Sequence, residues 1–470
     1  MDLNAAFFLF FFFPFVIVLY WVVPGIRWKN LLLTAASLIF YAFGQWQGIV
    51  ILLLSVLVNY AAGALIHRGR WKKPVLAAAL TLNAALLLWF KYLNLLLGTA
   101  GSLLSISVPT LDAAAPVGIS FFTFKAMSYL IDVYRGGGTG GFLDVLLYIS
   151  FFPQVTSGPI TRFGQFGPQL LERSADPERT ARGLRRFIIG LGKKLLIAGL
   201  TAEIADSAFA LSGEAGAALA WLGAAAYTIQ LYFDFSGYSD MAIGLGAMFG
   251  LATPENFDYP YIAGSLREFW KRWHISLSSW FQDYLYIPLG GGRKGRVRKC
   301  INQFLVFLVS GIWHGANWTF LLWGAWHGVW TVAESCAGNR LNALRKSLPG
   351  RVIGHICTLL LVCLGFVIFR APSIGSALGM FRAMFTFAAP SAEAVLALER
   401  FGPAVWLALA AGIVGSLPVV PWLAGRVDRM SGASRSCLRA ISYLAVIALF
   451  AVCALAASGG NFQPFIYNQF

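Results

Sequence analysis

Apolar stretches long enough to cross a membrane recur along almost the whole chain, and short polar or basic segments separate them. A membrane-spanning helix needs about 20 apolar residues, and on that criterion we expect about 11 or 12 spans. Shorter apolar pieces lie between them and are expected to form re-entrant or interfacial helices. The pattern predicts an all-α, polytopic membrane protein.

The composition supports this class of fold. Hydrophobic residues make up 58% of the 470 positions and charged residues 12%, whereas an average globular domain is about 25% charged. No polar block is long enough to bury a core of its own. We therefore expect one membrane domain over residues 1–470, with N-terminal helices in 1–150, a catalytic core in 151–336 and C-terminal helices in 352–470.

Basic residues cluster in the connections between apolar stretches, which accounts for the net charge of +16. Because cytoplasmic loops of membrane proteins carry an excess of Lys and Arg, we expect residues 293–299 and 340–351 to face the cytoplasm. The first apolar run follows no basic segment, so we expect a retained span and no cleaved signal peptide. The charge indicates contact with the anionic headgroups of a lipid bilayer and argues against a nucleic-acid partner.

Segment 310–328 contains two Trp-His-Gly sequences, at His314 and His327. The apolar stretch 304–313 is too short to cross a hydrocarbon core of about 30 Å at 1.5 Å per residue. The turn at 314–317 should therefore lie at membrane depth and face protein or a watery cavity. An ionisable side chain held at membrane depth indicates a functional site, so His314 is a candidate functional residue. The alternative is that His314 is structural and is hydrogen bonded inside a helix bundle.

Polar, aromatic and glycine-rich residues concentrate in three further blocks. Their sequences are FPQVTSGPITR at 152–162, LYFDFSGYSDMAIG at 231–244, and NFDYPY at 256–261 continuing through EFWKRWHIS at 268–276 and YIPLGGGR at 286–293. With the segment around His314, these blocks closely resemble the membrane-bound O-acyltransferase family. PVGISFFTF at 116–124 and PFIYNQF at 464–470 are similar to the branch that O-acetylates bacterial alginate and exopolysaccharides, and the teichoic acid D-alanyltransferases are near relatives.

The resemblance implies acyl transfer through a tunnel that crosses the membrane, with the donor entering from the cytoplasm. The family's catalytic histidine lies in the segment that Trp313-His314-Gly315 resembles, so we expect His314 to act as general base, a role that suits a neutral imidazole. The family's second polar site residue, a histidine or an asparagine, corresponds to His274. We expect His327 to be structural or to lie on the donor side.

The periodicity around His274 gives a different interpretation when taken alone. Apolar residues at 270–284 recur at i, i+3 and i+7, and basic residues and His274 occupy the neighbouring arc. This predicts an amphipathic interfacial helix, and we expect its basic edge to face the donor. Glu268 and Arg272, four residues apart, should form an ordinary helical ion pair.

Other polar residues of the blocks are candidates for lining the tunnel. We expect Asp234, Ser236 and Tyr238 at a break where one span ends and the next begins. They suit gating of the tunnel or orientation of a histidine better than general acid catalysis. The remaining tunnel or substrate-binding candidates are Trp273, Trp313 and Asn317.

A glycine run at 290–292 is followed by five basic residues, and we expect this loop to contact the phosphates of acetyl-CoA. The five are Arg293, Lys294, Arg296, Arg298 and Lys299. The sequence has no HExxH pair and no Cys/His cluster, so we expect no metal and no bound cofactor. Acetyl-CoA is the expected co-substrate.

These expectations describe a multi-pass acyltransferase of the bacterial cytoplasmic (inner) membrane that moves acetyl groups toward an extracytoplasmic polysaccharide such as alginate. The chain has no soluble domain to place the group on a polymer, so we expect an SGNH-type acetyltransferase or a similar partner outside. The alternatives are D-alanyl transfer to teichoic acid, peptidoglycan O-acetylation, and a non-enzymatic transporter or flippase. Transporters often have interrupted helices at corresponding positions in two halves of the chain. Here the polar interruptions cluster in the central region, which argues against a transporter.

Overall fold

The computed structural model describes residues 1–69, 71–107, 115–174, 176–386 and 389–459. These residues are mostly helical and contain no β-strand, which confirms the all-α prediction. The chain divides into two compact units, Met1–Phe187 with Tyr238–Glu255 and Ile188–Gly237 with Asn256–Phe470. The predicted motif at 464–470 lies outside the described residues. The single membrane domain stays a prediction.

The first unit is built around buried aromatic side chains. The ring centroids of Phe8, Phe40 and Phe152 lie 5.5–6.1 Å apart, as expected for offset or edge-to-face packing. Its helices are a π-helical turn at Phe8–Phe12, α1 (Phe13–Val22), α2 (Ile26–Gly44), α3 (Trp46–His67), α4 (Lys72–Leu87), a π-helical turn at Leu88–Tyr92, α5 (Leu93–Leu104), α6 (Ile119–Tyr134), α7 (Phe142–Ser150), α8 (Phe163–Leu171) and most of α9 (Pro177–Gly192).

The second unit carries both candidate histidines. Its π-helical and 3₁₀ turns are Lys193–Ala198, Ser212–Glu214, Pro260–Ile262 and Gln282–Tyr286. Its α-helices are α10 (Gly199–Leu211), most of α11 (Gly216–Met248), α12 (Leu266–Arg272), α13 (Ile275–Phe281), α14 (Arg296–His314), α15 (Trp318–Leu344), α16 (Leu348–Arg370), α17 (Ile374–Thr386), α18 (Ala392–Arg400), α19 (Pro403–Gly415), α20 (Val419–Asp428) and α21 (Gly432–Ser458).

Several helices are long and apolar enough to cross a membrane. Within the described ranges four qualify on length and composition: Trp46–His67, Lys72–Leu104, Leu348–Arg370 and Gly432–Ser458. The pair α18 and α19 is bent by 81° and makes a fifth if it is one broken span. The multi-pass fold is thus confirmed, whereas the larger number of spans stays a prediction.

The segment around Asp234 forms one continuous helix, α11. The break expected at Ser236-Gly237 is therefore wrong. A Cβ atom at Gly237 would lie 2.7 Å from the carbonyl oxygen of Gly190, closer than real Cβ contacts. The glycine is needed for close backbone packing within the second unit, and it does not interrupt the helix.

Helices α14 and α15 meet at a pair of glycines. A Cβ atom at Gly311 would lie 2.4 Å from the carbonyl oxygen of Phe320, and one at Gly324 would lie 2.5 Å from that of Phe307. Small residues let helix backbones approach closely in membrane proteins. Because Gly311 precedes His314 by about one turn, this contact fixes the position of the histidine.

We expect Gly324→Leu to force the two helices apart and destabilise the protein by about 1–3 kcal/mol, the usual cost of overpacking. The apparent melting temperature of the purified protein in detergent measures the effect. Gly338→Leu, on the same helix, is the matched control because a Cβ atom there meets nothing within 4 Å. Equal losses in both variants would contradict the prediction.

Candidate active site

His314 is the last residue of α14, and a three-residue turn connects it to α15, as the Gly-containing break predicted. The side chain of Asn317 caps α15 by accepting a hydrogen bond from the backbone N–H of Thr319 at 3.1 Å. Its amide group also donates to the carbonyl oxygen of Pro372 at 2.9 Å. Asn317, a predicted tunnel residue, therefore acts in the structure as the residue that fixes this turn.

Aromatic rings enclose His314. The centroid of its imidazole lies 5.0 Å from Trp313, 4.8 Å from Trp323 and 5.2 Å from Phe369, and the residue is 5% exposed. Electrostatic interactions are stronger where water is excluded. The rings therefore keep water away from His314. Polar groups placed next to its imidazole then have a strong effect on proton transfer to or from the ring.

His274 lies at a break between two short helices, so the continuous interfacial helix that we predicted is wrong. Helix α12 ends at Arg272 and α13 begins at Ile275. The extended segment before them replaces the helical hydrogen bonds: the N–H of Ile275 donates to the Asn256 carbonyl at 2.9 Å, and that of Asp258 donates to the Arg272 carbonyl at 3.0 Å. Long-range pairing thus overrides local helical periodicity.

The predicted ion pair on α12 does form. The carboxylate of Glu268 lies 3.0 Å from the guanidinium of Arg272. The same guanidinium also pairs with Asp258 at 2.7 Å. These contacts belong to the structural frame of α12, and Glu268 has no contact with either histidine among the hydrogen bonds and ion pairs of the described residues.

The hydrogen bonds of Asn256 fix the tautomer of His274. Its amide oxygen lies 3.0 Å from His274 Nδ1, and it accepts a hydrogen bond from the Ser276 hydroxyl at 2.9 Å. Because an amide oxygen only accepts, Nδ1 carries the hydrogen, and Nε2 of the neutral ring has a lone pair. Burial lowers the pKa of His274 to about 3 because it disfavours the charged form. The ring is therefore neutral.

Trp313 lies between the two candidate histidines. Its ring centroid is 6.2 Å from that of His274 and 5.0 Å from that of His314. Phe235 of α11 packs edge-on against His274 at 4.6 Å. The fold thus brings together two histidines that are 40 positions apart in the sequence, as the family resemblance implied. Their functional roles stay predictions.

His327 adjoins this group, and it is fully buried. Its ring lies 4.9 Å from Trp323, the ring that also contacts His314, and 5.0 Å from Trp270. Neither of its ring nitrogens has a hydrogen-bond partner within the described part of the chain. A Cβ atom at Gly365 would lie 2.6 Å from Nε2, so the glycine makes room for the imidazole.

The other tunnel candidates lie in different environments. Asp234 forms a buried ion pair with Lys194, and Ser236 is buried with no partner for its hydroxyl among the described residues. Tyr238 belongs to the first unit, where its hydroxyl lies 2.5 Å from that of Thr156. The sequence patterns did not indicate Lys194 or Asn256, because both partners are brought in by the tertiary fold.

Trp273 packs within an aromatic cluster of the second unit. Its ring lies 5.5 Å from Phe269, 5.1 Å from Phe257 and 5.2 Å from Phe366 of α16. The residue is 3% exposed. These contacts make Trp273 a core residue that anchors α12 beside His274, and a direct role in binding stays a prediction.

The five basic candidates for donor binding precede or begin α14. Four of them are exposed, and Lys299 is half-buried. The Arg296 guanidinium donates to the backbone carbonyl of Cys336. Exposed cations suit long-range attraction of an anionic donor more than tight enclosure. Among the described residues, no group of three or more His, Cys, Asp or Glu side chains could hold a metal ion.

The fold and the buried histidines describe a multi-pass membrane protein with a water-poor site. The family model described as MBOAT, membrane-bound O-acyltransferase family, matches residues 135–371. The chain therefore belongs to the membrane-bound O-acyltransferase family, and it is an acyltransferase.

Relatives of several activities match the chain. The probable alginate O-acetylase AlgI of Pseudomonas putida KT2440 is 38% identical over 497 residues, which cover 100% of both chains. The peptidoglycan O-acetyltransferase of Helicobacter pylori is 34% identical over 417 residues, 81% of this chain and 79% of that protein. The teichoic acid D-alanyltransferase of Bacillus subtilis is 31% identical over 279 residues, 54% of this chain and 68% of that protein.

Proposed function

We propose that the chain takes acetyl groups from cytoplasmic acetyl-CoA and moves them across the inner membrane for O-acetylation of an extracytoplasmic polysaccharide such as alginate. An SGNH-type acetyltransferase or a similar protein outside would complete the transfer. The similarity over the full length of a probable alginate O-acetylase supports this substrate class. The observation that carries the proposal is the enclosed pair of histidines on either side of Trp313.

His314 would act as general base in the transfer. As the hydroxyl oxygen of the acceptor attacks the thioester carbonyl, the imidazole takes the hydroxyl proton. The new C–O bond forms, the C–S bond breaks, and the coenzyme A thiolate leaves with the proton that the imidazolium returns. The surrounding rings exclude water, which would otherwise hydrolyse the thioester.

His274 would serve as a hydrogen-bond acceptor. Holding the donor carbonyl would need an N–H group that faces the substrate. Its Nδ1–H is already directed to Asn256, so Nε2 can only accept. Nε2 is buried and has no partner among the described residues. It therefore suits an N–H or O–H group of the donor or acceptor, such as an amide of the pantetheine arm.

The alternatives have weaker support. The D-alanyltransferase matches little more than half of this chain, whereas the alginate relative matches all of it. Peptidoglycan O-acetylation shares the donor chemistry and differs in the acceptor. A transporter or flippase would need no acyltransfer site, and family membership excludes it as the main activity.

Acetylation of exported polymer tests the proposal. In an alginate-producing bacterium without its own membrane O-acetylase, but with the other acetylation proteins, expression of this chain should restore base-labile acetyl esters on alginate. Nuclear magnetic resonance of the purified polymer measures them. Acetyl esters on peptidoglycan alone, or D-alanyl esters on teichoic acid, would overturn the alginate assignment.

We expect the basic loop to assist donor binding. Replacing Arg293, Lys294, Arg296, Arg298 and Lys299 with glutamine should weaken binding of a non-hydrolysable acetyl-CoA analogue by about tenfold, since exposed charges contribute little singly and more as a group. Added salt should reproduce the loss because it screens exposed charges within about 10 Å at 0.1 M. Purified protein in neutral detergent removes any contribution from anionic lipid.

The control replaces four basic residues of another segment with glutamine: the exposed Arg426, Arg429 and Arg439 and the half-buried Arg435. It should leave the affinity for the analogue unchanged. Equal affinity of the loop variant and the wild-type protein would assign the loop to membrane orientation alone and favour a carrier-protein donor.

A further inference from the structure

A basic cavity of about 590 Å³ lies in the second unit where α12 and α16 begin. Its charged lining comes from Arg345, Arg351 and Glu268, and His355 also lines it. A volume of several hundred Å³ is typical of pockets that bind small ligands. The cavity is thus large enough for a polar headgroup.

The charges around this cavity favour an anion. Glu268 is neutralised by Arg272 at 3.0 Å, and Arg345 is paired with Glu334 at 3.4 Å. Arg351 is exposed and has no carboxylate partner within the described ranges. The N–H of His355 Nδ1 donates to the carbonyl of Ala263 at 3.2 Å, so this ring is fixed at the wall. Arg272 is shared between Glu268 and Asp258, and Arg351 is the cavity-lining cation that no carboxylate of the described residues pairs with.

Backbone groups add to this preference. The cavity is next to the first turn of α16, whose residues Leu348 and Arg351 line it. Pro349 has no N–H, and the N–H of Gly350 donates to the Ser347 hydroxyl at 3.1 Å, so the favourable contribution to an anion comes from the dipole of α16. The N-terminus of α16 adjoins a cavity that also contains the guanidinium of Arg351.

Apolar surface continues from the cavity along α16. Leu348, Val352, Ile356 and Leu360 recur every four residues and are 42–67% exposed. From the first to the last of them α16 rises about 18 Å, which is close to half of a hydrocarbon core of about 30 Å. Because α16 is one of the helices able to span a membrane, this stripe has the length of one lipid leaflet.

We propose that this cavity binds the phosphate of an anionic phospholipid whose acyl chains lie along the exposed stripe of α16. Basic pockets at the ends of spanning helices recognise acidic headgroups in this way. A soluble phosphate ligand would bind the same arginine, but it has no acyl chains to cover the adjoining apolar stripe. Since Glu268 of α12 and its N-cap residue Ser265 line the cavity, a bound lipid would contact the helix that leads to His274.

Lipid retention by the full-length protein tests this site. Purified protein in neutral detergent is mixed with phosphatidylglycerol or with phosphatidylcholine of the same acyl chains, and native mass spectrometry counts the bound lipids. We expect preferential binding of phosphatidylglycerol and a loss of about fivefold in Arg351→Gln, the effect of one basic residue near an acidic lipid. Arg429→Gln, which removes another exposed arginine, is the matched control and should bind like the wild type.

The outcomes separate the two sources of phosphate. Equal retention of both lipids, or unchanged phosphatidylglycerol binding in Arg351→Gln, would overturn the proposal. Displacement of phosphatidylglycerol by coenzyme A or inorganic phosphate would also overturn it and assign the cavity to a soluble anion. None of these results depends on whether alginate is the acceptor, so failure here leaves the proposed function standing.

Discussion

His314→Ala should reduce acyl transfer by on the order of 100-fold or more, because the group that accepts the hydroxyl proton is lost. The protein should still insert and fold, since its insertion depends on the long apolar helices elsewhere in the chain. The measurement is the amount of acetyl ester on exported polymer, normalised to the amount of protein in the membrane.

His67→Ala is the matched control for this change. His67 ends α3 and is exposed, so its loss should leave acyl transfer unchanged. A His314→Ala variant that accumulates normally and still acetylates the polymer would contradict the assignment of the base. Loss of activity in both variants would point to a general effect of removing a histidine.

Asp234→Ala should destabilise the protein by about 3–5 kcal/mol, the usual result of breaking a buried ion pair. Asp234 and Lys194 are 6% and 4% exposed, so removal of the carboxylate leaves an ammonium group buried without its counter-charge. The apparent melting temperature in detergent and the yield of folded protein measure the loss. Glu178→Ala, which breaks an exposed pair with Arg182, should cost no more than about 1 kcal/mol.

The double change Lys194→Met with Asp234→Leu should recover most of the stability, because apolar residues of similar volume can replace a buried pair. If the pair only supports the fold, activity should return as well. A stable double variant without activity would instead show that the charges act on the site. Asp234→Ala with wild-type stability would contradict the prediction.

The fold class followed from the sequence because membrane-spanning helices depend on long apolar runs, and such runs are visible in the chain. The apolar runs at 48–66 and 352–370 predict spans, and α3 and α16 lie there. The break after His314 was also expected, since glycine follows an apolar stretch too short to span. These features depend on local composition, which a single sequence displays.

Features that depend on tertiary contacts could not be predicted in this way. The periodicity around His274 indicated one helix, but backbone pairing with segment 256–258 divides it into α12 and α13. The Ser236-Gly237 sequence indicated a break, but Gly237 serves close packing in a continuous helix. The sequence did not distinguish Lys194 from the other basic residues, because its contact with Asp234 is made by the tertiary fold.

The backbone of His274 has φ of +45°, and this left-handed conformation restricts which amino acids can replace it during evolution. It costs most L-residues about 1–2 kcal/mol, and Asn, Asp and His are the side chains enriched there. Aspartate would bring a buried charge, which is costly, and glycine would bring no polar group. Histidine and asparagine remain, so backbone geometry, burial and the need for a polar group together narrow the choice to that pair.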